Sequence, residues 1–243
     1  DRNRGFKNNL VVAATGTGKT WVSAFDFAQI KKEIENPKLL FVAHRKEILE
    51  QSRNVFREVI EDNTFGELWV GGESPKDWNH VFGSIQSINR NGLQSFTPNH
   101  FDVVIIDEFH HAGAKTYDQL LDYIKPKYLL GLTATPERMD GVNILKWFKN
   151  RISSEIRIWD AIENHLISPF HYYGIFDDTE LTEISWRNGK YDASALTNLY
   201  TANHLWARRV ISEVREKFGE LSSLKALGFC VTIEHAQFMA NQF

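Results

Sequence analysis

Cysteine is almost missing from this chain. Among 243 residues only Cys230 carries a thiol, so no internal disulfide can form, and a reducing cytoplasm is the compartment expected. Long apolar runs are missing too. The longest are about five residues, against the ~20 that a membrane-spanning helix needs, and Asp1-Arg2-Asn3-Arg4 opens without the apolar core of a signal peptide. Nor is there a basic excess: 28 Lys and Arg against 31 Asp and Glu leave a net charge of −3. That balance argues against a protein that coats polyanions by charge alone. Nine histidines are present without any His-x₃-His or Cys-x₂-Cys spacing, which makes zinc a poor reading even at His110-His111. Internal repeats and low-complexity tracts are also absent. What remains is a chain with 42% hydrophobic residues, enough to bury a sizeable core. It starts without Met and stops at Phe243 inside an apolar helical pattern, which reads as a fragment.

The apolar residues come as short continuous runs, Leu10–Ala14, Leu39–Ala43, Val103–Ile106 and Tyr128–Leu132, each followed by an amphipathic stretch. Continuous runs suit strands covered on both faces. Ile48, Leu49, Ser52, Val55, Phe56 and Val59 share one helical face, as do Tyr117, Leu120, Leu121 and Ile124. This alternation predicts an α/β fold with a mostly parallel central sheet and helices on both faces. Leu68–Val70 and Val81–Ser84 add two more candidate strands. Ser168-Pro169 breaks the pattern and suggests domains over 1–167 and 168–243. In the second part the sequence predicts a strand over His171–Phe176, an irregular stretch over 177–203, and a helix with Ala207, Val210, Ile211, Val214 and Phe218 on one face. A further strand is expected over Ala226–Cys230.

The first run leads into Thr15-Gly16-Thr17-Gly18-Lys19-Thr20, then a helix expected to turn Val22, Phe25 and Ala28 inward. Glycines let backbone N–H groups close around phosphates, and the helix N-terminus adds a favourable dipole. In such a P-loop Lys19 neutralises the β/γ charge of a nucleotide and the Thr20 hydroxyl ligates Mg²⁺. The general pattern has Gly where Ala13 stands, so the match is to the variant A-x-x-G-x-G-K-T. Eighty-eight residues after Lys19, the run Val103–Ile106 ends in Asp107-Glu108-Phe109-His110-His111. Carboxylates at the end of a buried strand lie on the ligand side of an open α/β sheet. Asp107 is then the Mg²⁺ ligand and Glu108 the group that orients and deprotonates water. His110 reads as a polar link to a neighbouring strand end, and His111 as structural. Thr133 and Thr135, at the end of Tyr128–Leu132, offer hydroxyls to the acidic turn and to the γ-phosphate. A small-molecule P-loop kinase would leave the acidic pair and these threonines unexplained.

Together these segments resemble the superfamily 2 helicases and translocases. The resemblance rests on Ala13–Thr20 (motif I), Phe41–Arg45 (motif Ia), Gly83–Ser87 (near motif Ib), Asp107–His110 (motif II, D-E-x-H), Leu132–Pro136 (motif III) and Gly228–Ala236 (motif IV). Val42-Ala43-His44-Arg45 with Asp-Glu-Phe-His is similar to the restriction-enzyme-type branch, especially bacterial DEAD/DEAH-box proteins whose motor follows a phospholipase-D-like nuclease domain. No nuclease motif appears in these residues. The resemblance implies two RecA-like domains, the second only begun here, with ATP and Mg²⁺ in the cleft between them and a nucleic-acid strand, DNA in most of that branch, across the top. It implies that His44, Arg45, Ser84, Ile85 and Gln86 contact the strand, and that Lys19, Asp107, Glu108 and His110 carry hydrolysis. The family's adenine-reading glutamine has no equivalent in residues 1–12, and motifs V and VI would lie beyond Phe243. The 243 residues are therefore expected to bind nucleotide and hydrolyse it poorly alone. An RNA helicase, or a nucleotide-gated switch that clamps nucleic acid without unwinding it, are the alternatives.

Overall fold

The computed structural model describes residues 2–112, 115–137, 143–175, 179–187, 190–202 and 204–243, and the chain divides into two compact units, 1–170 and 171–243. Phe176, Asp177 and Asn203, which figure in the expectations above, lie outside the described residues.

In the first unit the order is β1 (Asn8–Ala13), α1 (Lys19–Glu33), β2 (Leu39–Ala43), α2 (Lys46–Ile60), β3 (Glu67–Trp69), β4 (His80–Ser84), α3 (Ile85–Asn91), β5 (Val103–Ile106), α4 (Lys115–Tyr123), β6 (Tyr128–Thr133), β7 (Ser154–Ile156) and α5 (Ile158–Glu163). The strands form one seven-stranded sheet, β3-β4-β2-β5-β6-β1-β7, and every pair in it is parallel. β2 and β5 are buried along their whole length, as their unbroken apolar runs require. One sheet face packs against α1 and α2 through Phe27, Phe41, Phe56, Phe65 and Phe82, with Phe41 and Phe82 stacked at 5.4 Å. The other packs against α3, α4 and the turn Ile144–Phe148 through Ile88, Phe109, Leu120 and Phe148. Among the described residues no helix is long and apolar enough to cross a membrane.

Gly131, in the middle of β6, shows how closely this second layer sits. A Cβ there would lie 2.7 Å from Phe148, 2.8 Å from Phe109 and 2.9 Å from Leu10. Gly131→Ala is expected to cost about 1–3 kcal/mol as overpacking. A melting temperature equal to wild type would show that the layer can yield.

Five expectations need correction. Val22 and Phe25 of α1 do not face inward: they are 47% and 59% exposed, Ala28 is only half-buried, and the buried face is Ser23, Ala24, Phe27 and Ile30. The helix starts at Lys19 and meets the sheet through Phe27, which packs on Phe56 and Phe65, and this rotates the helix one position from the apolar spacing. In the second unit, 171–175 and 226–230 are irregular rather than strands; Leu227 and Phe229 are 88% and 94% exposed, and no strand pairs with either segment among the described residues. Among the described residues of 177–203, the antiparallel strands β8 (Trp186–Arg187) and β9 (Lys190–Tyr191) and the helix α6 (Ala193–Thr201) stand where an irregular stretch was expected. Asp192 caps α6 by accepting from Ala195 N. Two helices complete this unit, α7 (His204–Phe218) and α8 (Ile233–Gln242). Ala207 and Ile211 of α7 are buried, but Phe218 is exposed.

Candidate active site

The segment between β1 and α1 is built from two left-handed glycines, Gly16 (φ 86°) and Gly18 (φ 83°), which L side chains rarely match. Ala14 N donates to Ile156 O of β7 at 3.0 Å, and Thr17 Oγ1 donates to Ala14 O at 2.7 Å, so both ends of the turn are tied down. Ile167 lies against the turn, 3.7 Å from where a Cβ on Gly16 would stand. Lys19 Nζ donates to Ala13 O at 3.1 Å and to Ala14 O at 3.5 Å, which folds the ammonium back over the loop. Thr20 follows as the second residue of α1. Arg157, just past β7, donates to both Glu137 oxygens at 2.9 and 2.5 Å and also to Glu155. β7 carries no apolar run, so nothing in the sequence flagged Ile156 or Arg157 as neighbours of the loop.

β1 is separated from β5 by β6 alone, so the acidic turn opens at the same sheet end as the loop. Asp107 N donates to Val42 O at 2.9 Å, and Glu108 N donates to the Asp107 carboxylate at 3.0 Å. The chain then reverses: Glu108 has φ 50°, a left-handed conformation uncommon outside glycine, before the 3₁₀ turn Phe109–His111. The turn lets two adjacent acids serve one site, where a straight strand would point them apart. Asp107 is 8% exposed. Burial and then the Glu108 charge hold it above the ordinary carboxylate range, while the Glu108 N–H, Lys19 and His44 pull it back.

His110 Nδ1 lies 3.1 Å from Glu108 Oε2 and 3.1 Å from Thr133 Oγ1. Thr133 is fully buried; its hydroxyl donates to Thr135 O and accepts from Thr135 N, both at 3.2 Å. With its hydroxyl hydrogen so used, Thr133 has room for an N–H from His110, which assigns the proton to Nδ1. A cleft of about 440 Å³ opens beside this network, lined by Thr15, His44, Arg45, Ile48, Glu108, His110, His111, Ala134 and Thr135. His44 Nδ1 is buried without a hydrogen-bond partner, and Arg45 is exposed at the start of α2. At the end of β4 the picture differs. Ser84 is 3% exposed, accepts from Ser87 N at 3.1 Å and donates to Ser87 Oγ at 2.9 Å. Ile85 is buried, and Gln86 alone of the three is exposed. Ser84 and Ile85 therefore offer backbone rather than side chain to a ligand.

Thr20 and Asp107 supply a hydroxyl and a carboxylate, the oxygen donors magnesium takes, and a buried carboxylate held above its usual range gains from a cation. The donor set fits Mg²⁺. The same desolvation sets a cost in its absence. A folded-state pKa above the unfolded one means stability is present below the unfolded pKa and lost as pH rises through the folded one. Asp107→Asn is therefore expected to stabilise the nucleotide-free chain at neutral pH by on the order of 1 kcal/mol, about 2–4 °C in Tm, while losing Mg²⁺-dependent nucleotide binding. Thermal melts across pH 4–8 check this; a lower Tm for the variant at pH 7 would contradict it.

A family model described as the res subunit of type III restriction enzymes matches residues 1–138. The chain belongs to this family. It is the restriction-enzyme branch of the superfamily 2 helicases, and the matched residues 1–138 hold motifs I to III. The Escherichia coli type I restriction enzyme EcoAI endonuclease subunit is 24% identical over 255 residues, 95% of this chain and 30% of that protein. A DEAD-box ATP-dependent DNA helicase of Drosophila melanogaster, Fancm, is 26% identical over 176 residues, 64% of this chain and 12% of its own length. A fragment assigned to the HsdR subunit of a type I restriction enzyme from Vibrio vulnificus YJ016 shares the fold at TM-score 0.67 and 22% identity, over 98% of this chain and 41% of that one. The chain spans less than half the length of the curated relatives it matches.

Proposed function

We propose that this chain is the motor part of an ATP-dependent nucleic-acid helicase or translocase acting on DNA. The observation that carries the reading is the meeting, at one sheet end, of the phosphate loop, the acidic turn and the His110–Thr133 link, with Arg45 on the wall of the same cleft. Backbone N–H groups of 15–20 and Lys19 hold the triphosphate, and Thr20 and Asp107 hold Mg²⁺. When bound, that ion neutralises charge developing on the phosphoryl oxygens. Glu108 orients the attacking water and accepts its proton, and His110 keeps the Glu108 carboxylate in place. Thr133 and Thr135 link this turn to the γ-phosphate. His44, Arg45, the backbone of Ser84 and Ile85, and Gln86 grip the strand without reading bases, which needs no basic excess. Residues 1–167 form the ATP-binding RecA-like domain and 168–243 open a second. The single cysteine supports a cytoplasmic setting.

A relative described as a DNA helicase supports the DNA reading, while another, from Acanthamoeba polyphaga mimivirus, is described as an RNA helicase. ATP turnover of the full-length protein with single-stranded DNA, duplex DNA and RNA, together with displacement of an annealed strand, tests the reading. Stimulation by DNA with strand displacement or movement is expected. Stimulation by RNA alone would make it an RNA helicase, and nucleotide-dependent clamping without displacement or translocation would make it a switch.

A further inference from the structure

Three imidazoles stand in a row along the cleft wall. The His44 ring, just past β2, lies 5.4 Å from that of His111 at 68°, and His111 lies 4.2 Å from His110. His111 also stacks on Tyr117 of α4, with centroids 6.4 Å apart and 24° between planes. Tyr117 is buried, so the row is anchored in the core. Tyr117 feels the acidic pair from there: burial, then the Asp107 and Glu108 charges, push its hydroxyl up to about 12. His111 itself is exposed on the cleft.

The far end of the row has two available states. His110 Nδ1 carries one hydrogen and faces two acceptors, Glu108 Oε2 and Thr133 Oγ1, each 3.1 Å away. A small tilt of the ring strengthens one bond at the expense of the other. Tilted toward Glu108, it holds the carboxylate with one oxygen engaged. Tilted toward Thr133, it frees that oxygen to take a proton from water. His111 touches both rings, which gives a shift of His44 a contact path to His110.

We propose that His111 is a positioning residue that couples strand binding at His44–Arg45 to the proton-accepting state of Glu108, by ring contact with His44 on one side and His110 on the other. The inference rests on the motor reading above. It assigns His111 no contact with nucleotide or strand. Its effect is therefore confined to the stimulation of turnover by nucleic acid.

The test uses the full-length protein and measures ATP turnover with and without single-stranded DNA, together with DNA affinity by fluorescence anisotropy. His111→Ala is expected to cut the DNA stimulation roughly tenfold while turnover without DNA, KM for ATP and DNA affinity stay within about twofold. His111→Phe, which keeps a ring between His44 and His110, is expected to retain most of the stimulation. His111→Gln, polar but without a ring, should behave like the Ala variant, and it serves if the Ala variant folds poorly. Undiminished stimulation in the Ala and Gln variants overturns the inference. So does an equal loss with and without DNA, a loss of DNA affinity, or a Phe variant as impaired as Ala. A wild-type protein that neither DNA nor RNA stimulates would overturn the motor reading, and this inference with it.

Discussion

In the full-length protein, Glu108→Gln is expected to bind ATP as tightly as wild type and turn it over about 10²–10⁴-fold more slowly. The amide keeps the size of the side chain and can still accept from His110 Nδ1 through its carbonyl oxygen. The backbone at φ 50° is unchanged by the substitution, so the turn survives. What disappears is an oxygen able to take a proton from water. Phosphate release measured beside the affinity for a fluorescent ATP analogue separates the two effects. Turnover near the wild-type rate would remove Glu108 from the role of base. A matching loss of affinity would show that the residue holds nucleotide rather than water.

Lys19→Ala should act one step earlier. The ammonium now rests on the carbonyls of Ala13 and Ala14 and is already aimed at the space over the loop. Exchanging those neutral acceptors for a phosphate strengthens its hydrogen bonds, and charge-assisted bonds contribute about 1.5–3 kcal/mol each. Nucleotide affinity is expected to fall by one to two orders of magnitude, roughly 10–150-fold. Because those carbonyls belong to the loop and not to the core, the fold should hold. Equilibrium titration with a fluorescent ATP analogue, at matched circular dichroism, reads both points. Unchanged affinity would refute the assignment of the phosphate loop.

Much of the first unit was legible because its signals are chemical as well as apolar. Buried parallel strands demand unbroken runs, and Leu39–Ala43 and Val103–Ile106 have little other use. The glycines at 16 and 18 answer to positive φ, a need that few other residues meet. The facing of α1 was hidden because Ser23 and Ala24 are small and weakly apolar, whereas the exposed Trp21, Val22 and Phe25 imitate a core stripe. β7 was hidden because Ser154–Glu155–Ile156 is an edge strand with one apolar residue, recognisable only by its pairing with Val11–Ala13. In the second unit, apolar runs such as Ala226–Cys230 suggested a strand, but a run becomes one only beside a partner, and none pairs with it among the described residues. His111 was singled out by the sequence only as structural, with no sign of its contact with His44. A ring contact between residues 67 positions apart, such as His44 with His111, leaves no periodicity to read.

The place of β1 in the sheet has a consequence for the order in which the domain assembles. Its two neighbours are β6 and β7, so Asn8 waits for Leu129 and Val11 for Ser154. Pairings this distant are slow to close and cannot begin on the ribosome until about 120 further residues have been made for β6 and about 140 for β7, roughly 6–30 s of synthesis. β2 and β4, by contrast, pair across about 40 residues. The strand that feeds the phosphate loop is thus translated before the other strands of its sheet and is among the last to be locked in place. The loop between β1 and α1 therefore takes its final shape only once the rest of its sheet exists.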